Sequence, residues 1–231
     1  MAQRESVPAR IGRRLVRAVD ARLRREQGIF VFDDDPACIL RISLAPAKAE
    51  VALSGGTVVA AGERLVIVHF WNERLPPIPP EGPDLRWARR MVQGAIYSLR
   101  LLAQYLASQP GLATVQAVGS DLAGFLAAGD LDLGVGFFER LGFDVQRPHS
   151  AAGLWGRLAL FWGNVYSWAL IWTYNPASVR GKVPWRLGRF SIWMSRATLE
   201  RRYGRAEAHG PPEAEAQAGE PALATTGGSR R

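Results

Sequence analysis

Arg64-Leu65-Val66-Ile67-Val68-His69-Phe70 is the stretch that most limits what this chain can fold into. In an extended backbone, alternation puts Leu65, Ile67 and His69 on one face and Val66, Val68 and Phe70 on the other. Both faces are largely apolar, which predicts a central strand covered on both sides. The next segment supports a layered fold. Leu75–Gly82 contains Pro76, Pro77, Pro79 and Pro80. That run can neither continue a sheet nor enter a helix interior, so it reads as a stiff extended crossing between layers.

Asp84 can cap the helix predicted over 85–107. Leu85, Ala88, Val92, Ala95, Ile96, Leu99, Leu102, Ala103 and Leu106 form its apolar stripe, and Pro110-Gly111 ends it. A second amphipathic helix is expected over 9–27, with Ile11, Leu15, Val16, Val19 and Leu23 at helical spacing among arginines and Gly28 as its stop. Shorter strands are expected at Cys38–Leu44, Val58-Val59, Thr114–Val118, Phe143–Gln146 and 185–195. Ser54-Gly55-Gly56-Thr57 and Gly62 signal turns. Gly119-Ser120-Asp121 reads as a turn and cap leading to a short helix at Phe125–Ala128, with another at Phe137–Leu141. One or two closing turns are expected at Thr198–Tyr203.

The segment 158–179 carries no charge. Its length touches the lower range of a membrane span, but Gly163, Asn164, Ser167, Thr173, Asn175 and Pro176 interrupt it, which favours a buried or interfacial helix. Trp155, Trp162, Trp168 and Trp172 fall close to one helical face. The expected class is therefore α+β: a single compact domain with a small mixed sheet packed against the amphipathic helix (about 85–107) and a Trp-rich helix (about 155–174). Residues 1–8 are expected to be a flexible start, 9–204 the domain, and 205–231 a disordered tail of Ala, Gly, Pro, Glu and Thr.

Charge bears on partners, not on the fold. Of the net +8, residues 1–27 carry +5 and 180–205 carry +7, while 28–179 and 206–231 carry −2 each. Twenty-seven of the 29 basic residues are Arg, which forms bidentate contacts with phosphate and carboxylate. The same skew is what a genome composition bias produces. The only cysteine, Cys38, excludes an intrachain disulfide and any multi-Cys metal site. It also points toward a reducing compartment. The start of the chain lacks the apolar run of a secretory signal. The expected location is cytoplasmic, peripheral at the inner membrane face.

His69-Phe70-Trp71-Asn72-Glu73-Arg74-Leu75 is the most distinctive string, and it ends the strongest strand. His69 could serve as a base near neutral pH, Glu73 could orient it or act as an acid, and Arg74 could hold an anion. The structural alternative is a hydrogen-bonded core histidine followed by a turn closed by Asn72, with Glu73 and Arg74 paired or solvated. His69 and Glu73 are thus the catalytic candidates, and Asn72, Arg74, Trp71, Trp185, Arg186 and Arg189 the ligand-binding ones. No metal site and no cofactor is indicated. Asp33-Asp34-Asp35 lacks the calcium-loop pattern and reads as a solvated turn. Gly-Ser120-Asp lacks a nucleophile elbow. Six of the eight Trp lie in 155–193, beside the strongest Arg block. That pairing suits a membrane interface, a sugar-stacking groove, a protein contact or single-stranded nucleic acid, or simply a Trp-rich core.

Gly56-Thr57-Val58, Gly62-Glu63, the His69–Leu75 string, Ser195-Arg196-Ala197-Thr198-Leu199 and Arg202-Tyr203-Gly204 together resemble the YkoP-like domain over roughly 38–204. Such bacterial domains occur alone or attached to polysaccharide deacetylases, and the family is essentially uncharacterised. The resemblance implies a cell-envelope or polysaccharide context. The metal motif of the deacetylases is missing from this chain, so deacetylation is not implied. Two readings are open. One is a noncatalytic or ancillary domain at an anionic membrane surface, an envelope glycan or lipid, or a partner protein. The other is a small enzyme on an envelope glycan or lipid precursor that uses His69 and Glu73.

Overall fold

The computed structural model describes residues 7–79, 81–127, 131–146, 153–174, 176 and 187–204. Trp185, Arg186 and the expected tail lie outside them. The fold is α+β. In chain order the elements are α1 (Val7–Glu26), β1 (Leu40–Pro46), β2 (Val51–Ala52), β3 (Val58–Val59), β4 (Arg64–Phe70), α2 (Leu85–Ser108), β5 (Ala117–Ala127), α3 (Leu131–Arg140), β6 (Asp144–Gln146), α4 (Gly153–Tyr174), β7 (Leu187–Ser195) and α5 (Arg196–Tyr203). A short 3₁₀ turn, Pro110–Leu112, ends the α2 region.

The main sheet has five strands in the order β1-β4-β5-β7-β6. Among the described residues only β4 and β5 pair in parallel, and α2 supplies the long crossover that a parallel pair needs. The proline run leads into α2, whose first turn is capped as expected: Asp84 Oδ1 accepts from the Trp87 amide at 2.7 Å.

One face of the sheet presents Leu40, Ile42, Val66, Val68, Val118, Phe190, Ile192 and Met194. Against them pack Met91, Ala95, Leu99, Leu102, Ala103 and Leu106 of α2, Phe138 of α3, and Leu199 and Tyr203 of α5. Ile42, Leu99, Leu102, Leu106, Ile192 and Leu199 are completely enclosed.

The other face is divided. Where β4 begins, the β2–β3 ribbon covers it with Val51, Leu53 and Val59 against Leu65, Ala117 and Trp193. Where β4 ends, the cross-strand register brings Arg41 beside His69, with Ser43 next along the same face. Here α4 lies on the sheet and α1 lies on α4. A Cβ at Gly163 would meet the tip of the Arg189 guanidinium, which would have to shift.

Two expectations fail. Gly119-Ser120-Asp121 is not a turn, and Phe125 starts no short helix, because the chain stays extended through Ala127. Local turn chemistry loses to pairing with β7, in which Asp121 accepts from Ser191 Oγ at 2.6 Å. Gly119 is needed for a different reason: a Cβ would collide with the Trp193 ring and the Ile192 carbonyl. The helix expected at Phe137–Leu141 begins earlier, at Leu131. Among the described residues, no helix is long and apolar enough to cross a membrane.

Candidate functional site

The string that ends β4 forms a tight turn. Trp71 N donates to the Ile39 carbonyl at 2.8 Å and Arg74 N to the Trp71 carbonyl at 2.8 Å. Asn72 sits half-buried inside that turn. Two guanidinium groups lie over the Trp71 ring, Arg41 at 4.1 Å and Arg74 at 3.4 Å from its centroid. Such stacking suits a planar, weakly hydrated cation. Arg74 also donates to the carbonyls of Asp35, Asp34 and Cys38 at 2.5, 3.3 and 3.4 Å. Its fork closes the 34–38 loop, so it does not present itself to an anion.

His69 is half-buried, with Nε2 2.9 Å from Ser43 Oγ. Burial pushes its pKa down to about 4, so the ring is neutral at physiological pH. A base that weak captures few protons at pH 7, and Ser43 is itself buried. No described bond links His69 to Glu73.

Glu73 faces two arginines instead. Arg24 Nη1 lies 3.2 Å and Arg41 Nη1 3.7 Å from its carboxylate. Arg24 reaches Asp20 at 3.1 Å, and Asp20 accepts from Tyr166 Oη at 2.8 Å. Asp20, Arg24, Glu73 and Arg41 thus alternate in sign and sum to zero. They join α1, α4, β1 and the turn after β4. Burial lowers the Arg41 pKa, with Glu73 opposing the shift. It also raises that of Tyr166, to which the bond with Asp20 adds. The arrangement is a clasp: the candidate acid and its neighbours spend their charge on one another.

Asp20, Arg24, Arg41, Ser43 and Tyr166 are not marked as site residues by the sequence. A signal exists for one of them. Asp20 shares a helical face with Val16 and Leu23, where an unpaired acid would be costly to bury.

The other candidates are placed separately. Arg189 is half-buried, with Nε donating to Asn164 Oδ1 at 2.7 Å, and burial lowers its pKa. Trp168 and Trp172 stack in parallel with centroids 6.5 Å apart, and Arg13 lies 5.3 Å from the Trp172 ring. This part of the tryptophan stripe is therefore committed to holding α1. Asp33-Asp34-Asp35 is a hydrogen-bonded turn: Asp35 accepts from Ala37 N at 2.7 Å and from Tyr97 Oη at 2.7 Å, and the latter bond raises the Tyr97 pKa to about 12.

A polar groove of about 450 Å³ opens at the other end of the sheet, between the β2–β3 turn, the α3–β6 corner and α5. Its walls are fixed by Asp144, which accepts from the Ser54 amide and hydroxyl, and by Arg202, which donates to the Arg140 carbonyl. Glu139, Thr57 and Arg201 also line it. A smaller hollow of about 220 Å³ lies along α1, against Val7, Arg10, Ile11 and Arg14. No family model, no curated protein and no solved structure matches this chain.

Proposed function

We propose that this chain is a noncatalytic, ancillary bacterial domain that works peripherally at an anionic surface, the inner face of the cell membrane, through its basic exterior. The observation that carries this reading is how charge is disposed on α1. Both of its acids are spent within the helix, Asp20 on Arg24 and Glu26 on Arg22. Arg10 and Arg14 have no carboxylate partner among the described residues. The resemblance of the His69–Leu75 string to YkoP-like domains, with their envelope context, agrees with this reading. The alternative, a small enzyme on an envelope glycan or lipid precursor, needs a free base and acid. The neutral His69 and the clasped Glu73 speak against it.

Co-sedimentation of the purified protein with vesicles tests the reading. Binding to anionic vesicles should weaken as salt rises. His69→Ala should leave binding unchanged. An absence of binding at low salt would refute the proposal. Turnover of an envelope precursor that disappears in His69→Ala with folding intact would establish the alternative.

A further inference from the structure

Helix α1 is amphipathic in the wrong direction for a helix whose sole task is to cover a domain. Such a helix normally turns its apolar side inward. Here the inward side docks largely through polar contacts: Asp20 to Tyr166, Arg24 to Asp20 and Glu73, and Arg13 on Trp172. Gly12 faces the Trp172 ring, and Val16 and Leu23 are half-buried. The outward side carries Val7, Ile11, Leu15 and Val19, spaced four apart, and Ile11 and Leu15 are 62% and 65% exposed. This ridge runs about 18 Å along the axis. Arg10 and Arg14 flank it on one side, and Arg22 continues their row.

Resting on the reading above, we propose that this outward face is a lipid-binding surface. The Val7-Ile11-Leu15-Val19 ridge seats among the acyl chains of an anionic bilayer, and Arg10 and Arg14 hold lipid phosphates at its rim. Charge complementarity selects this occupant. A second copy would bring two helices, each with seven arginines against two acids, into contact, and they would repel. Nucleic acid would satisfy the arginines but leave the apolar ridge against phosphates. A bilayer interface satisfies both, as it does for basic amphipathic helices generally. The partner helix α4 adds further exposed apolar surface, with Phe161 and Trp162 packed edge to face at 5.5 Å.

The test uses the full chain and vesicles of phosphatidylglycerol in phosphatidylcholine, with phosphatidylcholine alone as control. Two double variants, Ile11→Ser with Leu15→Ser and Arg10→Gln with Arg14→Gln, replace exposed side chains and should leave the melting temperature unchanged. The arginine pair should weaken binding to anionic vesicles by roughly 30-fold. The serine pair should weaken it by about tenfold or more, a loss that persists at high salt. If the parent chain binds these vesicles and both variants bind as well, the α1 face is not the contact, while the membrane reading stands. If the parent chain does not bind, both fall. If the serine pair changes nothing while the arginine pair loses vesicles and a single-stranded oligonucleotide equally, the ridge does not insert. If the serine pair instead abolishes a dimer seen by sedimentation, the occupant is a second copy. Either of those outcomes overturns the proposal.

Discussion

The two faces of the sheet solve different problems. Under α2 the interior is predominantly apolar, built from residues such as Leu99, Leu102 and Ile192 that exclude solvent almost completely, with the buried Ser98 hydroxyl accepting from the Ile39 amide. Under α4 and α1 the interior is polar, with Arg41, Ser43 and His69 on the sheet facing Asp20, Arg24 and Glu73. The first face gains stability from every methylene placed there. The second gains little net stability from its charges, because desolvation offsets their attraction. Its contacts tie α1 to the rest of the layer, pairing Asp20 with Tyr166 of α4 and Arg24 with Glu73 of the turn after β4.

The largest effect should come from the apolar face. Leu102→Ala should cost about 2–5 kcal/mol in denaturant unfolding, since the side chain is wholly enclosed and leaves a cavity. A loss below about 1 kcal/mol would mean that this face is not the principal core.

The next effect appears in the pH dependence of the polar face. Well above pH 6.5 His69 is neutral whether the chain is folded or unfolded. As the pH falls toward 4, the unfolded chain takes up a proton that the folded chain refuses, so stability falls across that window and the contribution levels off below it. The loss attributable to His69 is up to about 3 kcal/mol. His69→Gln should make the decline shallower, and an unchanged pH profile would show that the ring is solvated.

Asp20→Ala should cost about 1–3 kcal/mol, because it leaves the Tyr166 hydroxyl without its acceptor and removes one of the two carboxylates that Arg24 faces. Hydrogen exchange separates this from a core defect. Amides of α1 should exchange faster while those of α2 are unaffected at fixed global stability. Equal acceleration in both helices would mean that α1 and the core unfold as one unit.

The smallest effect sharpens the comparison within a single helix. Arg22–Glu26 has the same four-residue spacing as Arg24–Asp20, but it lies in solvent. Glu26→Gln should change stability by less than about 0.5 kcal/mol. A double-mutant cycle on each pair should give a larger coupling for Asp20–Arg24.

Much of the apolar face was legible. The α2 stripe and the two-sided apolar pattern of Arg64–Phe70 need only the helical and extended periods to be read, and both elements formed where expected. The Asp84 cap and the turn at Asp33-Asp34-Asp35 were legible for the same reason, being made of neighbours in sequence. Strand β5 was not. Gly119-Ser120-Asp121 has the residues of a turn, and it is extended because β7, about 70 residues later, offers Ser191 to Asp121 and the Trp193 ring to Gly119. The candidate site was half legible. The string His69–Leu75 marks a special place, but its chemistry depends on what faces it, and Arg24 lies 49 residues away.

From sequence alone this protein has its class, its central strand, its crossover helix, its Trp-rich helix and a charge gathered toward both ends of the fold. These follow from periodicity and composition, which act over a few residues at a time. Only the tertiary structure decided that His69 is neutral, that Glu73 is clasped between Arg24 and Arg41, and that α1 turns its apolar ridge to solvent. A side chain's charge state and exposure depend on the dielectric and the partners around it, and those partners come from elements brought together only by folding.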